Sequence, residues 1–156
     1  MKLKTEKFGV IEYTKKDIAV FMDGLLGFEN LKRYVFVEKK ESAPFVWFHC
    51  VDDKKTSFVA INPYLFFPDY KVQIQKEDHQ ALGITKVQDV ILLTLVVVPA
   101  SWPEDVSTNL LAPILINKNN LKSKQIILHN SGYSTKHFLM KQGSKNLETI
   151  SSQKVA

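Results

Sequence analysis

The chain has 156 residues and a mass of 17.9 kDa, the size of one ordinary domain, and can bury a core without staples. Its 45% hydrophobic and 24% charged content excludes wholesale disorder, and a single cysteine, Cys50, excludes a disulfide scaffold. The net charge of +5 is uneven: residues 1–16 carry five lysines and two glutamates, residues 117–156 carry seven lysines and one glutamate, and the middle is net acidic. Basic ends raise a pI without making a groove, which weakens a nucleic-acid reading.

No run approaches the ~18 apolar residues of a membrane span. The longest, Val90 to Ala100, is broken by Thr94 and Pro99. The N-terminal lysines have no apolar stretch behind them, so no signal peptide is expected and the chain reads as cytoplasmic.

In chain order, Thr5 to Tyr13 alternates around Gly9, which predicts a hairpin or bend. Asp17 to Phe21 is a short apolar-rich run. Asp23-Gly24-Leu-Leu-Gly27-Phe28-Glu29 follows, with two glycines that predict a tight backbone path. Tyr34–Val37, Phe45–Val51 and Ser57–Ile61 are β-branched and aromatic, hence strands, the last two joined by a turn at Asp52–Lys55. Lys76–Leu82 predicts one short helix, with acids in its first turn and Gly83 after its end. Asp89–Val98 is a nearly continuous apolar strand with both faces covered. Ile114–Ile116 and Gln125–Leu128 flank the turn formers Asn117–Asn120 as a hairpin. Residues 1–140 read as one all-β, mainly antiparallel, barrel-like domain, and the polar, basic residues 141–156 as a flexible tail.

Catalytic chemistry finds little support. His49 and Cys50 adjoin in a strand and so point to opposite faces, which predicts a buried core cysteine rather than a dyad. The four histidines have no metal-ligand spacing, there is no phosphate-cradling loop, and Ser131-Gly-Tyr-Ser is no nucleophile elbow. No catalytic residue, metal or cofactor is assigned. The unusual segment is Asn62-Pro-Tyr-Leu-Phe-Phe-Pro-Asp-Tyr70, with four aromatics and two prolines. The prolines forbid a regular central strand or helix interior, so the aromatics pack from a rigid, irregular ribbon. Some fold back onto the core. Those that face outward are anchors for a partner, since rigid rings lose little entropy on binding. The only charge from Thr56 to Tyr70 is Asp69, which disfavours RNA there.

The ordered set Phe8-Gly9 with Ile11, Gly24–Glu29, Asn62–Tyr70, Leu111–Asn117 and Lys124–Leu128 resembles the flagellar assembly factor FliW family, over about Thr5 to Leu139. The resemblance implies a cytoplasmic, non-enzymatic β-barrel-like adaptor, here expected to be a monomer without direct nucleic-acid or membrane contacts. Such a protein binds the C-terminal region of flagellin, and it binds the translational regulator CsrA. Partner switching between them couples flagellin synthesis to export. The partner-binding residues expected here are Phe28, Glu29, Asn62, Tyr64, Phe66, Phe67, Asp69 and Tyr70, with the ribbon and the Gly27–Glu29 turn bordering one surface. A net charge of +5 departs from the acidic balance that suits a basic partner such as CsrA. The competing readings are a nucleic-acid-binding barrel using the basic ends and, third, a flavin-binding or hydrolytic barrel.

Overall fold

The computed structural model describes residues 1–6, 8–101 and 104–140 of the chain. The polar segment 141–156 lies outside the described residues. β1 (Lys2–Thr5) and β2 (Gly9–Glu12) form an antiparallel hairpin. Its turn is closed by Thr5, whose hydroxyl donates to the Gly9 carbonyl at 2.7 Å and accepts the Phe8 N–H at 3.0 Å.

A meander follows: β3 (Ile18–Phe21), β4 (Arg33–Glu38), β5 (Val46–Cys50) and β6 (Ser57–Ile61), each antiparallel to the next. After α1 (Lys76–Leu82) come β7 (Val90–Val97), β8 (Ser107–Thr108), β9 (Ile114–Asn117), β10 (Lys122–Gln125) and β11 (His137–Phe138). β7 pairs with β6 on one edge and β9 on the other, β9 pairs with β10, and β10 lies parallel to β3. That last pairing closes a seven-stranded barrel in which only β10–β3 is parallel. β8 takes the same edge of β7 as β9 but further along it, and β11 adds to β8.

Alternation explains the closure. Ala19 and Phe21, Tyr34, Phe48 and Cys50, Ala60, Leu93, and Ile114 and Ile116 form one buried cluster, with Phe36 and Phe58 packed against it. These are every-second residues of their strands, so one face of each fills the barrel. Phe48 pairs in register with Phe36 on one side and Phe58 on the other, and its ring lies 4.5 Å from that of Phe36. Cys50 is buried in this interior, as the sequence implies.

The outer faces are covered in three places. Leu3 and Tyr13 lie on Val35. Phe66, Val106 and Leu139 cover Ile61 and Val96. Tyr70, Leu82 and Ile84 pack with Leu110, Leu115, Ile126 and Leu128. The short helix forms over Lys76–Leu82 and ends at Gly83, whose φ of +68° is the left-handed cap position glycine favours.

Two expectations need correction. The second strand of the C-terminal hairpin is Lys122–Gln125, not Gln125–Leu128. The Asn117 and Asn120 side chains accept the N–H groups of Asn119 and Lys122 at 2.9 Å each, and Leu121, at φ 59°, donates to the Asn117 carbonyl at 2.7 Å. The turn therefore ends early, and polar Ser123 and Gln125 occupy ladder positions that an apolar criterion passes over. The Val90–Val97 strand is covered through its middle, but Ile91 and Val97 are exposed. β8 and β11 carry no sequence signal, because two residues cannot display a period.

Candidate functional site

The Asn62–Tyr70 ribbon starts where β6 ends. Asn62 caps a 3-10 turn over Pro63–Leu65, its side-chain oxygen accepting the Tyr64 N–H at 3.0 Å. Pro63 sits at the first position of that turn, where its missing N–H costs nothing. The Pro63 carbonyl accepts from both Phe66 and Phe67, at 3.1 and 2.8 Å, and Phe67 in turn accepts from Tyr70 at 3.0 Å. This chain of local bonds decides which rings turn inward.

Phe66, 2% exposed, packs with Ile61, Val96, Val106 and Leu139. Tyr70, 5% exposed, donates its hydroxyl to the Leu110 carbonyl at 2.6 Å, and burial pushes its phenol pKa up. Neither side chain presents a free surface, so as anchors for a partner both are corrected to core residues of the site's floor. Tyr64 is 41% exposed, with its ring 5.8 Å from that of Tyr70. Phe67 is half-buried, and Asn62, Pro68 and Asp69 are exposed.

The ribbon borders a concavity of about 440 Å³ lined by Phe66, Phe67, Asp69, Tyr70, Tyr133 and His137 among others. Tyr133 meets Tyr70 edge-to-face at 4.8 Å, and its hydroxyl accepts the Lys71 N–H at 3.0 Å. His137 meets Phe67 at 5.8 Å and Tyr133 at 6.1 Å. Its Nε2 accepts the Ser134 N–H at 3.0 Å, and burial holds its pKa below the usual histidine value. The sequence reading missed Tyr133 and His137 as parts of this site. Tyr133 lies in Ser131-Gly-Tyr-Ser, which is no nucleophile elbow, and His137 has no metal-ligand spacing to the other histidines, so neither carries a motif. The sole local cue was a ring close to Gly132, which turns at φ 81°.

The Gly27–Glu29 turn lies elsewhere. Phe28, 42% exposed, stacks edge-on at 4.9 Å against Phe58, the second residue of β6. Glu29 is exposed and accepts the Gly27 N–H at 3.1 Å; hydrogen bonds from its own backbone N–H and from Gly27 hold its carboxyl below the usual value. Phe28 therefore packs at the start of β6, whereas Asn62 follows its last residue, about 13 Å away along an extended strand. Neither Phe28 nor Glu29 is among the residues that line the concavity beside the ribbon.

Other chemistry-bearing groups are scattered. Cys50 lies inside the barrel with its thiol pKa raised by burial, while His49 points to the outer face of β5 beneath Phe8, 5.9 Å away. Among the described residues no cluster of three or more histidines, cysteines or acids is placed to hold a metal ion. Likewise, among them no helix is long and apolar enough to cross a membrane.

A family model described as FliW protein matches residues 2–139. The chain belongs to the FliW family. It is 40% identical over 134 residues to the flagellar assembly factor FliW of Clostridium botulinum (strain Alaska E43 / Type E3), covering 86% of this chain and 94% of that one. It is 38% identical over 149 residues to the FliW of Alkaliphilus metalliredigens (strain QYMF), covering 95% and 91%. A crystal structure of the flagellar assembly factor FliW matches with a TM-score of 0.83 at 36% identity, covering 89% of this chain and 96% of that one. The barrel, the α1 helix and the mainly antiparallel pairing are thus those of the FliW fold.

Proposed function

We propose that this chain is a flagellar assembly factor that works as a cytoplasmic, monomeric partner-switching adaptor. It holds the C-terminal region of flagellin. When flagellin is exported it is free to hold CsrA instead, so that CsrA no longer represses flagellin synthesis. The observation that carries this reading is the rigid ribbon of a FliW-family barrel, with Tyr64 exposed, Phe67 half-exposed and an open aromatic concavity beside them. An amphipathic helix needs such apolar relief to receive its anchors. Flagellin is accordingly assigned to the ribbon face.

The test is calorimetric titration of the purified protein with flagellin from the same organism at low and moderate salt, then with CsrA. Binding with a negative heat-capacity change supports burial of an apolar helix face. Absence of flagellin binding removes the function while leaving the fold assignment intact.

A further inference from the structure

The concavity beside the ribbon has a chemistry that an apolar anchor alone does not use. Its walls are successive rings at steep angles: Phe67 to His137 at 78°, His137 to Tyr133 at 68°, and Tyr133 to Tyr70 at 73°. The Tyr70 hydroxyl is spent on the Leu110 carbonyl and the Tyr133 oxygen accepts the Lys71 N–H, so the walls offer chiefly ring surface. One carboxylate, Asp69, lines the same space. Among the described residues it takes part in no hydrogen bond or salt bridge. The neighbouring Lys136 is used elsewhere, with its ammonium 5.2 Å from the centroid of the Phe138 ring. Burial holds the His137 pKa below the usual histidine value, which favours the uncharged ring.

Aromatic faces are negative, and a cation set among them gains about two- to thirtyfold in affinity. An unpaired carboxylate at the border adds attraction of the same sign. A metal ion is a poor match, since hard cations need several oxygen ligands and this space offers one carboxylate. A volume of about 440 Å³ lies within the range of small-ligand sites and admits a long side chain. Exposed Tyr64 and Pro68 provide an apolar border on which the chain bearing that side chain can lie.

We propose that this concavity is a cage for the ammonium or guanidinium group of a lysine or arginine presented by the partner protein that docks on the ribbon. The proposal rests on the functional reading above only in taking the ribbon as the docking face.

The test has two arms. In the first, amide-detected NMR follows the free protein during titration with n-butylguanidinium and n-butylammonium, and with neutral n-pentanol as control. The expected result is saturable shifts at Phe67, Asp69, Tyr133 and His137 for the cations only, weakened about fivefold or more in Asp69→Asn. Equal shifts with n-pentanol, or none with either cation, overturn the cage. In the second arm, flagellin from the same organism is titrated into wild type and Asp69→Lys, with circular dichroism confirming the fold. A loss of about tenfold or more is expected, and unchanged affinity overturns the proposal. If wild type binds no flagellin, the functional reading fails while the first arm still decides the cage.

Discussion

The Lys124 ammonium donates to the Asp78 carboxylate at 2.7 Å, tying α1 to β10 across the outside of the barrel. A seven-residue helix is far below the length that is stable alone in water, so its place depends on such ties and on Leu82 beneath it. Asn117 adds another, donating to the Leu82 carbonyl at 2.8 Å. Replacing Lys124 with Met leaves a largely buried acid unpaired and is expected to cost about 1–3 kcal/mol in urea unfolding. The hydrogen bond from Asp78 is the main cause of a raised Lys124 pKa. A raised lysine pKa stabilises the fold fully below the unfolded value of 10.5, and this contribution is lost as pH rises through the folded value. The wild type should therefore lose more stability than Lys124→Met between pH 9 and the alkaline limit.

Gly24 is a position where only glycine fits. At φ +68°, a Cβ there would lie 2.6–2.7 Å from backbone atoms of Phe28 and Glu29. Gly132, at φ +81°, has open space around it. Gly24→Ala is expected to cost about 3 kcal/mol or more, from backbone strain plus the clash, and Gly132→Ala only about 1–2 kcal/mol. Denaturant midpoints of the two variants check the difference.

Two neighbouring aromatics of the ribbon should separate stability from binding. Phe66→Ala opens a cavity between Ile61, Val96 and Leu139 and should destabilise by about 3–5 kcal/mol. Tyr64→Ala removes an exposed ring and should leave the melting temperature nearly unchanged while weakening flagellin binding by about 2 kcal/mol. If calorimetry finds Tyr64→Ala binding like wild type, Tyr64 is not an anchor.

His49 gives an acid-side signature. It is buried on the outer face of β5 without a hydrogen bond to Nε2, and burial depresses its pKa. The unfolded chain then binds a proton more readily than the folded one. Stability contributed by this site is complete above the unfolded value of 6.5 and falls as pH drops through the folded value. His49→Gln should flatten the decline in melting temperature between pH 7.5 and 5, and an unchanged slope would remove His49 as its source.

Much of the fold was legible because the strands are short and obey a period of two. Tyr34, Phe48, Phe58 and Ala60 alternate inward within segments bounded by turn formers, and Gly83 marks the end of the helix. The site was only half legible. Two prolines and four aromatics single out Asn62–Tyr70, but the inward turn of Phe66 and Tyr70 follows from hydrogen bonds to Pro63, Phe67 and Leu110. The first two of these are local, whereas Leu110 is 40 residues away.

By itself the sequence determined a mainly antiparallel β protein with one short helix, a buried cysteine and a rigid aromatic ribbon, and it pointed to the FliW family. Each of these depends on residue type and near-neighbour spacing. Only the tertiary structure decided that β10 closes the barrel beside β3, that Phe28 and Asn62 flank opposite ends of β6, and that Tyr133 and His137 complete the concavity around Asp69. Those are contacts between residues tens of positions apart. They are set by how the strands pair and which outer faces remain to be covered, and no local pattern encodes that.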